Sequence, residues 1–583
     1  PRGGVTDPRL TMVVSRGSVT PPLGGVIDMS GSVFSVLDIT RRPAQAEVVL
    51  KTNSTLTAAL SLLDEPPFGF LKKAGRAVDL GEGRATLDAT LRFPLLPRLT
   101  AEDVIFSVMG RITDFRSETL VAGKQITAPD LSLSADPRGL RVSGPGTIGR
   151  VPFDVTFSQP FGKQASPASI EGTVALSRDT ITEFGLGLPE AIARGDGQGM
   201  VTITLPKGEP AQLRLVSDLN RIEITLPGTG WRKAAGTLGR LEVAATLSKP
   251  AAIDSLTITA PGLSARGSVR LLPGGRLDQV DFTEVELGDW LAGRVRISGR
   301  GEGRPVGILV SDATVDLRRK PPDTVAGGSG GEVADVPLTF TLNSLRITDT
   351  ISLTDFRGDF SPRGGFNGSF SALVNGQAAV TGTVVPGANG AAIRVLSDNA
   401  GGVLASAGVF ASARGGQLDL RLMPRAADGV YDGSADLRDF RVVDAPVLAE
   451  LLNAVSVVGI LEQLNGEGLA FGQALAEFVL TPEAVQITRG SAVGNSIGVS
   501  MAGVYGTRDG ALDLQGVVSP IYMLNGIGAI LTRRGEGLFG FNYRVRGSRD
   551  RVAVSVNPLS ILTPGMFRDL FRRDPPRLEG PDG

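Results

Sequence analysis

Along most of the chain apolar and polar residues alternate one by one, the period of a strand with one dry face and one wet face. Ile222, Ile224 and Leu226 alternate with Glu223 and Thr225. Leu241, Val243, Ala245 and Leu247 alternate with Glu242, Ala244 and Thr246, and Val295 and Ile297 with Arg294, Arg296 and Ser298. The sharpest case is a hairpin near the end. Phe539, Phe541, Tyr543 and Val545 alternate with Gly540, Asn542, Arg544 and Arg546, then Val552, Val554 and Val556 with Ala553 and Ser555. Residues 46–50, 85–93 and 104–111 read as earlier strands; 338–342, 344–349, 351–356, 477–480, 484–488, 496–504 and 511–517 read as later ones. Turn signals separate them at the spacing of an antiparallel β architecture.

Two stretches break this rhythm. Residues 54–63 (STLTAALSLL) predict a short helix capped by Ser54 and ended by Pro66 and Pro67. Residues 445–464 predict a longer amphipathic helix. Asp444 is the expected N-cap, Pro446 suits the first turn, and Gly466 stops the run. Val447, Leu448, Leu451, Leu452, Val455, Val458 and Leu461 would form its apolar face. Residues 399–413, small and uncharged, fit a short helix or a buried strand equally well.

The chain divides into an N-terminal stretch, 1–175; a middle one of cleaner strands, 176–318; a Gly/Pro-rich flexible loop, 319–337; a C-terminal region, 338–571; and a disordered tail, 572–583. Roughly 35 strands at about 4.8 Å spacing would stack into a sheet on the order of 150 Å long. Periodicity alone leaves tandem sandwiches and one open trough as alternatives. The scarcity of aromatics (5%) disfavours large filled cores, while the rhythm fits sandwiches.

Charges balance at 59 basic against 60 acidic residues and lie scattered through the chain. That argues against nucleic acid as a partner, because a binder needs a basic stripe. The 583 residues contain neither histidine nor cysteine, which removes Ser-His-Asp and Cys-His machinery and His-ligated metal. Residues 144–149 fit G-x-G-x-x-G, but a strand-like VPFDVTF follows where a dinucleotide site needs a helix, so this is read as a turn. Residues 327–331 fit G-x-S-x-G inside the expected loop, with no histidine to activate Ser329. Trp231 reads as an aromatic plug in a turn, or as an interfacial anchor beside Arg232 and Lys233. No catalytic residue, metal site or cofactor is expected, and the chain is read as a non-enzyme. No run of 18 apolar residues appears that would span a membrane.

The segment from Ser397 to Phe571 closely resembles the C-terminal region of AsmA-like proteins of the YhdP type, from Gram-negative envelopes. The matching blocks are 397–420, 444–471, 519–530, 535–548 and 556–571, with weaker likeness at 61–75 and 230–242. One departure is a short link between Ile530 and Gly535. The resemblance implies an all-β fold with a few short helices: an elongated, twisted, mostly antiparallel sheet curved into an open hydrophobic groove. It implies a periplasmic bridge that moves phospholipid between inner and outer membranes, anchored to the inner membrane by an N-terminal helix not present in this chain. Its partners would be phospholipid acyl chains, the two membranes and envelope proteins. The groove lining would be Ile222, Ile224, Leu226, Leu241, Val243, Phe539, Phe541, Tyr543, Val545, Val552 and Val554, with the helix at 445–464 dressing one end. The rival reading is an envelope scaffold or outer-membrane assembly factor that carries no lipid.

Overall fold

Strand period without a second apolar layer in the sequence produces, in the computed structural model, one very large sheet. The structure describes residues 9–562 except 66–68, 74, 100–102, 122, 163–164, 187–191, 249, 274–275, 302–303, 322–335, 427–428, 456–457, 508–509, 521–535, 537–538 and 549–550. Among the described residues, 33 strands belong to a single sheet and three to a small separate one. The large sheet is curved, mostly antiparallel and not closed into a barrel. The expected loop at 319–337 and the tail at 572–583 fall mainly or wholly outside the described residues.

The chain forms two compact units, one of residues 1–284 with 321–327, the other of 285–320 with 328–583. In the first, strands follow one another as a meander. Gln45–Thr55 pairs with Glu82–Pro94, that with Ile105–Val121, and the series continues through Lys124–Asp136 and Gly139–Ile148 to Leu263–Leu271. The helix expected at 54–63 is Leu56–Asp64, capped by Thr55 rather than Ser54. Thr55 is the extended residue whose Oγ1 accepts the Ala58 N–H at 3.1 Å, while Ser54 still lies in the strand. The G-x-G-x-x-G match is corrected too. Residues 144–148 complete the strand Gly139–Ile148, and the hairpin turns at Gly149, φ +56°, and Arg150.

In the second unit one parallel pair, Gly307–Asp316 with Leu338–Arg346, interrupts an otherwise antiparallel series that ends at Arg551–Asn557. The strands expected at 338–342 and 344–349 are one, Leu338–Arg346. Residues 399–413 resolve as a helix, Ala400–Ser406, because Asn399 caps it by accepting the Gly402 N–H at 2.9 Å.

The long helix at 445–464 is two short ones, Pro446–Ala454 and Val458–Asn465. Asp444 is not its cap. It takes φ +51°, and Ala445 occupies the cap position in extended conformation without a side-chain bond. Pro446 demands this, since the residue before a proline is pushed out of helical geometry. The break also rephases the apolar face. Leu451 and Leu452 are buried as expected, but in the second helix Ile460 and Leu464 carry the burial. Leu448, Val455 and Leu461 pack against that core, and Val447 is exposed.

Candidate functional site

Residues directly paired across antiparallel strands share a face, so the register shows what each face of the sheet presents. In the first unit one row reads Leu87, Gly110, Leu133, Val142, Phe157, Ile170, Ile203, Leu213. Every member is apolar or glycine, and every member is half-buried. A second row on the same face runs Gly144, Val155, Gly172, Val201, Leu215, Val243, Leu256, Gly267. The opposite face carries Arg141, Ser158, Ser169, Thr204, Gln212 and Thr246 in register. Strand alternation is thus carried from strand to strand along these rows, although bulges shift the register elsewhere in the meander, as between Ala244 and Ala245.

The second unit repeats the device. Val295, Val310, Phe340, Gly358, Phe370, Gly382, Val395, Leu420, Ala435, Ala476, Gly490, Met501, Gly516, Tyr543 and Val556 make one unbroken row. Its reverse side shows Thr339, Asp359, Ser369, Thr383, Arg394, Arg421, Ser434, Glu477 and Arg489. There Asp419 accepts from Arg394 Nη2 at 2.8 Å and Arg421 Nη2 at 2.9 Å, and these two guanidinium groups hold its carboxyl far below the usual range. Asp513 is held down in the same way, chiefly by Arg544 at 2.7 Å.

Phenylalanines on the apolar face stack on one another. Phe356 stacks on Phe370 with centroids 5.3 Å apart, and Phe360 on Phe366 at 5.0 Å. Phe370 covers Gly382, where an added Cβ would sit 2.2 Å from its Cζ. A large ring opposite a glycine gains contact without standing up from the sheet.

The expected lining residues divide three ways. Leu241 and Val243 stand half-buried on the apolar face of the strand Arg240–Leu247. Ile222, Ile224 and Leu226 do not belong to the large sheet. Their strand, Ile222–Leu226, is the middle of the small sheet with Ala193–Gly195 and Trp231–Lys233. Ile222 meets the large sheet at Gly197, whose added Cβ would lie 2.7 Å from its Cδ1. The final hairpin is closed. Tyr543 and Val545 are buried, and Phe541, Val552 and Val554 pack beside them against the helices Pro446–Ala454 and Val458–Asn465. They are core rather than open lining, because both helices lie on this part of the apolar face. Phe539 precedes the strand Phe541–Ser548 and is exposed. Of the helix residues expected to dress an end, Val458 has no described side chain.

Sequence alternation missed the members supplied by glycine, which carries no hydropathy signal, and by residues such as Ile170 and Ile203, whose strands had not been singled out. Trp231 is a plug as expected, but in a strand. It is buried and donates Nε1–H to the Pro261 carbonyl at 2.9 Å. Beside it Lys233 is 2% exposed and donates to the carbonyls of Leu219 at 2.6 Å and Ile222 at 2.8 Å. Burial pushes the Lys233 ammonium down from its usual value.

No helix among the described residues is long and apolar enough to cross a membrane. No protein-family model, curated protein or solved structure matches this chain.

Proposed function

We propose that the apolar face is a carrier surface for phospholipid acyl chains, and that the protein moves phospholipid between the membranes of a Gram-negative envelope. The observation that carries this reading is the register itself: rows of Leu, Val, Ile, Phe and Gly continue strand after strand, and in the first unit the row from Leu87 to Leu213 is half-buried at every member. Leaving such rows against water costs about 25 cal/mol for each Å² exposed, so a ligand of matching greasiness is favoured there. An acyl chain gains about 0.8 kcal/mol for each CH₂ it buries. Aliphatic contacts have little directionality, so neighbouring positions along a row are nearly equivalent and a chain can slide between them. Headgroups stay at the wet margin, because charge has no partner on that face. The likeness to AsmA-like proteins supports the same reading and suggests a periplasmic setting with an inner-membrane anchor.

The closed C-terminal core gives the two helices a place: they occupy the apolar face where a lipid would otherwise lie, and so terminate the row. The test is transfer of labelled phospholipid between donor and acceptor vesicles. The double variant Leu215→Asp with Val243→Asp sets two charges side by side on one row and should abolish transfer while the fold is kept. Unchanged transfer would defeat the proposal. A protein acting only as an envelope scaffold or assembly factor would carry no lipid in either form.

A further inference from the structure

An open cavity of about 600 Å³ lies in the first unit, where the helix Leu56–Asp64 meets Leu23 and Gly24 on one side and residues 72–79 on the other. That is the size of a small-molecule site, about 300–1,000 Å³. Leu23, Ala77 and Val78 supply apolar wall, and Asp64, Lys72, Arg76 and Asp79 bring both signs of charge. The walls are fixed from behind. Gly24, φ +87°, lies so close to the helix that an added Cβ would sit 2.2 Å from the Ala58 nitrogen, and Thr55 Oγ1 donates to its carbonyl at 2.6 Å. Leu23 N–H donates to the buried Ser61 Oγ at 3.3 Å. Opposite, Asp64 accepts the Lys72 N–H at 2.8 Å, and Arg76 N–H donates to the Leu71 carbonyl at 2.9 Å.

These bonds use backbone and leave the charges available. Among the described residues, the side chains of Lys72, Arg76 and Asp79 make no hydrogen bond and no ion pair. Two bases and two acids line the cavity, and over residues 64–84 four bases balance four acids. A lone anion or a lone cation would meet as much repulsion as attraction there. A ligand carrying both charges is met on both: a phosphate by the Lys72 ammonium and the Arg76 guanidinium, an ammonium by the carboxylates of Asp64 and Asp79. The helix that walls the cavity also packs on the strand Glu82–Pro94. There Ala85 is 1% exposed and shares the face of Leu87, where the apolar row to Leu213 begins.

We propose that this cavity takes a phosphodiester bearing an ammonium group, the phosphoethanolamine headgroup of a phospholipid carried on the apolar face. The choice of a lipid as its source rests on the carrier reading; the charge pairing is defined by the cavity's own residues. The test places a photo-reactive side chain at position 77 of the full chain and irradiates it with vesicles of phosphatidylethanolamine and phosphatidylglycerol in equal parts. Mass spectrometry should find phosphatidylethanolamine adducts in about threefold excess, the scale that exposed ion pairs support. Asp64→Asn with Asp79→Asn keeps an oxygen to accept the Lys72 N–H, leaves the lining positive and should erase the excess. Lys72→Gln with Arg76→Gln should lower adducts of both lipids. Equal adducts in the unaltered chain, or an excess that survives the double Asp variant, overturns the proposal. Calorimetric titration with glycerophosphoethanolamine and with glycerol 3-phosphate separates the sources: heat from the first alone, without lipid adducts at 77, keeps the site and assigns it to a free phosphodiester. The same irradiation from position 170 keeps the two readings apart. Adducts at 170, with neither adducts at 77 nor heat from glycerophosphoethanolamine, overturn the proposal and leave the carrier reading standing. Phosphatidylethanolamine adducts at 77 with none at 170 support the site and defeat the carrier reading.

Discussion

The ring of Phe478 lies over Gly433 on the neighbouring strand, so closely that a methyl group at Gly433 would sit 2.1 Å from the ring Cε2. The pair belongs to a row of the apolar face that continues through Ile487 and Gly503 to Leu514. A flat ring over a glycine keeps the face shallow. Gly433→Ala should lift the ring and lower stability by about 1–3 kcal/mol, the usual cost of overpacking, as read by denaturant unfolding. An unchanged midpoint would mean that the ring has room to move aside.

The two kinds of apolar position should respond differently to truncation. Leu464 is 0% exposed in the closed C-terminal core, and Leu464→Ala should cost about 2–5 kcal/mol. Leu213 is half-buried on the open row, and Leu213→Ala should cost on the order of 1 kcal/mol, because water already reaches part of the site. Equal losses measured in one denaturant series would show that the row at Leu213 is a filled core.

Acid should loosen the polar face. Arg318 donates Nε–H to Asp316 at 2.8 Å and brings its carboxyl down to about 2, and Asp419 and Asp513 are likewise lowered by their arginines. A carboxylate whose folded value lies below its unfolded one, near 3.8, adds stability that is complete above that value and fades as pH falls through the folded value. The unfolding midpoint should therefore hold level from about pH 7 to pH 5 and drop below about pH 4. Asp419→Asn should flatten part of that drop. A profile identical to that of the unaltered chain would place the acid sensitivity elsewhere.

Lys233 is a buried cation whose ammonium donates to backbone carbonyls. Lys233→Met keeps the length but leaves the Leu219 and Ile222 carbonyls without this donor, which should cost about 1–3 kcal/mol. Lipid transfer should survive, because Lys233 belongs to the small sheet and is not a member of the row through Val243. Loss of transfer in a folded Lys233→Met protein would tie the small sheet to function.

Strand identity was legible because alternation is a local signal. Leu241 and Val243 share a face for no reason beyond their spacing of two, and so do Arg544 and Arg546 on the other side. What alternation does not carry is the identity of a strand's neighbours. Ile222, Ile224 and Leu226 alternate as well as any residues in the chain, yet their strand pairs within a three-stranded sheet. Tyr543 and Val545 show the same limit from the other side: their face is the one expected, but helices from about ninety residues earlier in sequence close over it. The helix at 445–464 was legible as a helix and not as two, because the break near Val455 leaves the apolar content intact and changes only the phase. Glycines such as Gly172 and Gly382 fill apolar rows through what they permit their neighbours to do, which hydropathy does not register.

The carrier reading depends most directly on which face of the sheet touches lipid, and Ile170 and Ser169 are adjacent residues on opposite faces. A photo-reactive side chain placed at each position in turn, irradiated in cells and analysed by mass spectrometry, reads this out. The account predicts phospholipid adducts from position 170 and from its row partner 203, with none above background from 169 or 204. Adducts absent from all four, or equally abundant on both faces, would contradict it.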